Sequence, residues 1–469
     1  MNQNPAWGRL ANQNFANQRI KTTLFFSGQA SDGSIRYECT RRNELNLYTV
    51  HPIDGRHLNW STSLGNRAFA LDEMLNTGIN VVSMSSWGEA FLPCTSGWRW
   101  APMQTSPLSH DELFSAAVGK PILITPFIES RGDWTFYNEF PTFNGQIAPG
   151  TVSQINELIN RYLKNPSHPE WADKWTRVYD RNGEERYAIV IIQASSNRLA
   201  VNDHDGYAAG FDNLAEQVFN ATRVKVGFFL DALPPGSSAP GLFKPTPEET
   251  GSHLRNRASI LGIQCFIPEN WLPRETNDVL RVSWKRDFSR RWSETGIPFI
   301  MDVAPGYDGH IVFPGSAQFG LDQQWINSLT SMVNDFGEDG LVYNSWNGYT
   351  EGMAAVPTQE FGYLYYQWLQ SLNPDLLTAE GKVTLLRVHD EGTGYGPPRD
   401  FIDVEVVISV DSQPSKAFGF QLRDDASEGA HRGMLQLLHR AFNYDGRVRI
   451  DYLRNGSHNG RIIRVMDVR

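Results

Sequence analysis

Tyr187–Ile192 (YAIVII), Val224–Leu230 (VKVGFFL), Leu261–Ile267 (LGIQCFI) and Pro298–Val303 (PFIMDV) are four apolar runs whose first residues stand 37, 37 and 37 positions apart. Each run is apolar at successive positions, so both of its faces are buried, as in a parallel strand covered by helices. An interval of that length holds a strand, a helix and two loops. Outward from this stretch the pattern continues. Thr22–Phe26, Asn80–Met84 and Pro121–Ile128 precede it, with starts separated by 58, 41 and 66 residues, and Gly340–Tyr343 follows 42 residues after the last. Eight such units predict a (β/α)8 barrel over residues 21–378. A doubly wound sheet would use the same units, but no Gly-rich phosphate loop follows the first run.

The intervening helices are legible in part. Phe69–Thr77 is amphipathic and precedes Gly78; Thr151–Leu163 carries Ile155, Leu158, Ile159 and Tyr162 on one face. Asp322–Phe336 leads into the eighth run, and Pro357–Leu372 follows it with Pro in the first turn. Residues 1–20 are polar, rich in Asn and Gln, and read as an extended or frayed arm. They lack the apolar region of a signal peptide, so the expected location is cytoplasmic, or outside by a route that needs no such signal. No apolar run approaches the length of a membrane span.

Past Asn373–Gly381, which reads as a linker, the pattern changes. Val383–Val388, Ile402–Val410, Ala417–Leu422, Arg447–Leu453 and Arg461–Val468 are strand-like, and His431–Phe442 is an amphipathic helix between the third and fourth. Residues 379–469 therefore form a small β-rich accessory domain. The element order is that of an OB-type barrel, and a small sandwich with an inserted helix shares it.

With 42 basic against 52 acidic side chains, the chain has a net charge of −10, without the concentrated basic surface that nucleic acid requires. Three Cys (39, 94 and 265) are too few for a disulfide framework, although Cys39 and Cys94 could pair. No zinc, Walker, EF-hand, HExxH or GxSxG pattern occurs, so no cofactor or metal is expected. The sequence leaves the oligomeric state open.

In such a barrel, chemistry sits at the C-terminal ends of the strands. Trp87 and Glu89 follow the second run, Glu129 and Trp134 the third, Gln193 the fourth, Asp231 the fifth, and Glu269 and Trp271 the sixth. Asp302 ends the seventh, followed by Tyr307 and Asp308; Asn344, Trp346, Asn347, Tyr349 and Glu351 follow the eighth. Carboxylates, amides and indoles, with little His or Lys, suit a polyhydroxylated ligand: polar groups for hydroxyls, indole faces for the C–H faces of sugar rings. Each residue taken singly also fits a helix cap, an ion pair or packing.

The stretch 344–352 (NSWNGYTEG) resembles the last-strand signature of two glycoside hydrolase families, the endo-α-mannosidase family and the fungal α-1,3-glucanase (mutanase) family. The first has aromatic-Asn-Glu-aromatic-x-Glu-Gly, the second Trp-Asn-Asp-Tyr-Gly-Glu. Pro305-Gly306-Tyr307-Asp308 is similar to the Pro-Gly-Trp-Asp loop of the former. The resemblance implies a glycosidase acting on an α-linked glycan, with Glu351 as general acid/base. It also exposes a departure, because the family's first carboxylate falls on Gly348. Hydrolysis ordinarily needs two carboxylates. The second is sought among Asp231, Asp302, Glu129 and Asp308, with Asp231 and Asp302 preferred because each directly ends an apolar strand. The alternative is a barrel that binds carbohydrate without hydrolysing it. A third reading, an isomerase or aldolase, lacks a rim Lys or a cluster of metal-ligating His.

Overall fold

The protein is described from a computed structural model, which covers residues 6–26, 34–37, 40–58, 63–86, 100–101, 107–128, 149–192, 203–232, 246–312, 314–372, 376–396, 402–424, 427–454 and 459–468. It divides into two compact units, Met1–Ser371 and Leu372–Arg469.

All eight apolar runs are strands of the first unit: β1 (Ile20–Phe25), β2 (Val81–Ser86), β3 (Leu123–Ile128), β4 (Glu185–Ile191), β5 (Val226–Leu230), β6 (Ile260–Gln264), β7 (Phe299–Val303) and β8 (Gly340–Tyr343). Each pairs in parallel with its neighbours. The ring closes through β1–β8, where Ile20 faces Gly340, and through β3–β4, where Phe127 faces Val190. Glycine is required at 340: φ is +158°, and a Cβ would lie 2.5 Å from the Ile20 carbonyl oxygen.

Side chains fill the barrel in layers. Leu24, Phe127, Val190, Phe229, Ile300 and Val342 belong to one apolar cluster. The Thr22 and Ser83 hydroxyls meet at 2.9 Å in a polar layer that Gln264 joins. Alternation places Asp302 and Asn344 on the inward register of Ile300 and Val342, one step toward the C-terminal rim.

The described part of the N-terminal arm is packed, not frayed. Leu10 and Phe15 enter the interior cluster together with Val178 from a short strand, Arg177–Tyr179, antiparallel to β4. Asn12 Nδ2 donates to the Trp175 carbonyl at 3.0 Å, and Trp7 Nε1 to that of Ile260 at 3.0 Å. A few apolar residues among many Asn and Gln suffice, because the side-chain amides bond the backbone they lie against.

The outer helices are α1 (Leu64–Asn76), α2 (Pro107–Ala117), α3 (Pro149–Tyr162), α4 (His204–Thr222), α5 (Pro247–Arg255), α6 (Asp278–Ser293), α7 (Gln323–Phe336) and α8 (Leu364–Ser371). Side-chain caps from Ser63, Asp203, Thr246, Asn277 and Asp322 start α1, α4, α5, α6 and α7. The last helix begins later than Pro357, because Thr358 and Gly362 pair backbone to backbone in a tight turn first.

The second unit is a closed five-stranded barrel of β9 (Leu376–Val388), β10 (Val406–Val410), β11 (Ala417–Phe420), β12 (Arg447–Arg454) and β13 (Asn459–Val468), with α9 (Glu428–Asn443) between β11 and β12. Its order is β9-β10-β11-β13-β12. A parallel β11–β13 pair stands among antiparallel ones, which gives the OB-type barrel rather than a sandwich. The stretch read as a linker is largely strand: Leu377 and Ala379 are buried in this unit's core, and 376–382 pair with 447–453. Among the described residues no helix is long and apolar enough to cross a membrane. Cys265 is a free, buried thiol, and the Cys39–Cys94 pairing lies outside the described residues.

Candidate active site

The rim loop after β8 carries Glu351 on a single turn, Tyr349–Glu351. The loop is pinned from below. Asn347 Nδ2 donates to the Phe26 carbonyl and its Oδ1 accepts from the Phe26 amide, both at 2.9 Å, tying β8's exit to that of β1. The Tyr349 hydroxyl donates to the His57 carbonyl at 2.8 Å, and its ring packs against Tyr48. Trp346 is fully buried. These three side chains, expected to touch ligand, instead hold the loop.

Above them the Glu351 carboxylate accepts from the Tyr307 hydroxyl at 3.3 Å. Tyr307 stands on the loop after β7 and stacks on Phe319. Burial pushes the Glu351 carboxyl up to about 7, against the opposing pull of the Tyr307 hydrogen bond. It is therefore a group that can carry a proton near neutral pH.

Asp308 follows Tyr307, and its Oδ1 accepts from His310 Nδ1 at 2.6 Å and Gln318 Nε2 at 2.8 Å. Burial alone would raise its carboxyl, but these hydrogen bonds outweigh it and hold the group below the usual range. The two loops are in close contact: a Cβ at Gly352 would sit 3.4 Å from Asp308 Cβ. The carboxyls on these two loops are thus pushed in opposite directions, Glu351 up by burial and Asp308 down by its hydrogen bonds.

Asp231 and Asp302 are placed differently from expectation. Asp302 is 2% exposed; its Oδ2 accepts from Lys285 Nζ at 2.5 Å, and its Oδ1 accepts from Asn344 Nδ2. Asp231 is 3% exposed, and its Oδ1 accepts from the Phe266 amide at 2.9 Å. Both serve the barrel's upper layer. Glu269 is fully buried, with both oxygens 2.7 Å from Lys285 Nζ. Asn344 is spent on Asp302 and the Cys265 carbonyl. Trp271 alone of the aromatic residues expected after β6 and β8 keeps a partly exposed face. Trp87, Glu89, Glu129, Trp134 and Gln193 lie outside the described residues.

Gly348 does not mark an empty carboxylate position. Its φ is an ordinary −78°, but a Cβ there would collide with Ser345 Oγ and press on Met353 Cε at 3.2 Å. Ser345 and Met353 are both fully buried, so a side chain at 348 would point into the interior.

Lys285, which holds Glu269 and Asp302, lies on a helix away from the strand ends. The only signal for Lys285 is that Arg281 and Lys285 fall on the face of α6 that Phe288 and Trp292 also occupy, where cations are unexpected. Among the described residues no group of three or more His, Cys, Asp or Glu could hold a metal ion.

No family model matches the chain, and no curated protein matches it by sequence. Among solved structures it is similar to the GH99 endo-alpha-mannosidase from Bacteroides thetaiotaomicron, at TM-score 0.47 and 12% identity over 75% of this chain and 94% of that one. It is also similar to the endo-1,4-beta-mannanase from Rhizomucor miehei (0.39, 11%, 69% and 85%). A third is an exo-beta-1,4-mannosidase from Opitutaceae bacterium strain TAV5 (0.41, 11%, 79% and 62%). Matches of this depth assign no activity, since this barrel hosts many chemistries.

Proposed function

We propose that the protein is a glycoside hydrolase acting on an α-linked glycan, with Glu351 as general acid/base and Asp308 as the second carboxylate. The observation that carries the reading is the pair itself: on adjacent rim loops, Glu351 is raised to about 7 while Asp308 is held low. Glu351 in its protonated form donates to the leaving glycosidic oxygen. Asp308 remains ionised and is available as base or nucleophile. The α-linkage rests on the resemblance of residues 344–352 to the two families named above. Asp231 and Asp302 have no reacting role in this scheme, because both are buried and Oδ1 of Asp231 and both oxygens of Asp302 are hydrogen-bonded inside the barrel.

Turnover on a panel of α-mannans and α-glucans tests it. Glu351→Gln and Asp308→Asn are each expected to lower kcat by on the order of 10²-fold or more with the fold intact. Binding without turnover by the unaltered chain across the panel would instead support the carbohydrate-binding reading. That reading is favoured by one observation: neither Asp231 nor Asp302, the acids best placed by sequence, is available at the surface.

A further inference from the structure

Residues 48–57, between β1 and α1, run along the loop after β8. The Thr49 and Val50 amides donate to the Tyr349 carbonyl at 2.9 and 3.2 Å, the Ile53 amide donates to the Pro357 carbonyl at 3.0 Å, and the Gln359 amide donates back to the His51 carbonyl at 2.8 Å. The Tyr349 hydroxyl donates to the His57 carbonyl, and the Tyr48 ring lies 4.8 Å from that of Tyr349. All these contacts end on the loop after β8. The Thr49 hydroxyl reaches further. It lies 2.9 Å from the Asp308 carbonyl oxygen and 3.1 Å from that of Thr350, so its one proton is shared between the loop after β7 and the loop after β8. The two carbonyls stand next in the chain to the two partners of the hydrogen bond at the site: Asp308 follows Tyr307, and Thr350 precedes Glu351. The loops approach closely at the same point, where a Cβ at Gly352 would lie 3.4 Å from Asp308 Cβ and 3.5 Å from Asp308 N. The Tyr307 hydroxyl is 3.3 Å from the Glu351 carboxylate, long for a bond between oxygens, so a small parting of the loops breaks it.

We propose that Thr49 is a positioning residue of the site: by bridging the Asp308 and Thr350 carbonyls it joins the loop after β7 to the loop after β8, and so holds the Tyr307 hydroxyl against the Glu351 carboxyl. The proposal rests on the reading of Glu351 as the proton-transfer group. Tyr307 faces that carboxyl from the loop after β7, and Asp308 is turned to His310 and Gln318. From the segment before α1, Thr49 approaches as an uncharged group, while His51 is paired with Glu360. A change at Thr49 therefore acts on Glu351 through geometry rather than through a lost charge.

Thr49→Val exchanges the hydroxyl for a methyl of similar size, and Thr49→Ser keeps the hydroxyl. Thr49→Ala repeats the loss without the methyl, should the valine fold poorly. The readout is the effect of Tyr307→Phe on the titration midpoint of Glu351, followed by carbon-13 NMR of glutamate-labelled full-length protein and assigned as the resonance that Glu351→Gln deletes. With Thr49 in place, Tyr307→Phe should raise the midpoint by about one pH unit, the worth of one hydrogen bond to a carboxylate. In the Thr49→Val or Thr49→Ala background the same change should move it little, because the pair is already parted. In the Thr49→Ser background the full shift should return. Thr222→Val removes a hydroxyl-to-carbonyl bond on α4 and should leave the shift whole. A full Tyr307 shift without the Thr49 hydroxyl overturns the proposal, as does no shift with Thr49 in place, a shift that Thr49→Ser fails to restore, or an equal loss in Thr222→Val. Full turnover by Glu351→Gln would sink the functional reading instead, and the titrations would still decide the placement of Thr49.

Discussion

At the residue scale the site turns on one carboxyl. Glu351, raised to about 7 by burial, is protonated below neutrality and loses its proton as pH rises through that value. As general acid it gives kcat/KM a basic limb near pH 7. Tyr307→Phe removes the hydrogen bond that opposes the rise, so the limb should move to higher pH; an unmoved limb in a pH–rate series would detach Tyr307 from Glu351. The same shift carries a sign for stability. The folded state holds this proton longer than the unfolded chain, so the contribution is complete below about 4.5 and is lost as pH climbs through about 7. Glu351→Gln should flatten that part of the stability–pH curve, measured by denaturant titration. Gly348 is predictable from space alone. Gly348→Ala drives a methyl against Ser345 Oγ in a fully buried corner and should cost about 1–3 kcal/mol by overpacking. A Glu there adds no acid to the rim, and new hydrolytic activity in Gly348→Glu would contradict this placement.

At the scale of elements, the strands were legible because each is apolar on both faces, whereas the arm before β1 was not. Leu10 and Phe15 are isolated apolar residues with no period, and only the floor of a closed barrel gives them a place to be buried. Leu10, fully buried there, should cost about 2–5 kcal/mol when cut to Ala. A change under 1 kcal/mol in chemical denaturation would show that the arm is dispensable. The linker assignment failed for a related reason. Pro374 and Gly381 punctuate the sequence, yet residues 376–388 form one long strand that pairs with β12 along its first half and β10 along its second. Gly381, whose added Cβ would collide with Asp411 Oδ1, lies beside the changeover from one partner to the other.

For the whole molecule, the two units have separate cores. The second encloses Val406, Ile408, Phe418, Val448, Ile450 and Leu438 within its own ring. A chain ending at Ser371 and a chain beginning at Leu372 should each fold and melt cooperatively, whereas one ending at Thr378 leaves part of β9 without its partners. Aggregation of both halves cut at 371/372, checked by size exclusion and calorimetry, would show that neither core suffices alone.

The sequence by itself determined the repeat: eight doubly buried runs at near-regular spacing admit few closures, and the barrel follows from them. It also placed Glu351, Tyr307 and Asp308 on the rim, because the C-terminal end of every strand was readable. What it could not decide was the allocation of polar side chains between ligand and scaffold. Asp302, Glu269, Asn344, Asn347 and Tyr349 are of the same chemical types as the partly exposed candidates Asp308, Glu351 and Trp271 and lie as close to the strand ends. Whether each reaches solvent depends on one step of side-chain alternation and on partners far away in sequence, such as Lys285 for Asp302 and Phe26 for Asn347. Those long-range pairings exist only once the ring is closed, since closure is what brings β1 beside β8 and lays α6 against the loops it holds.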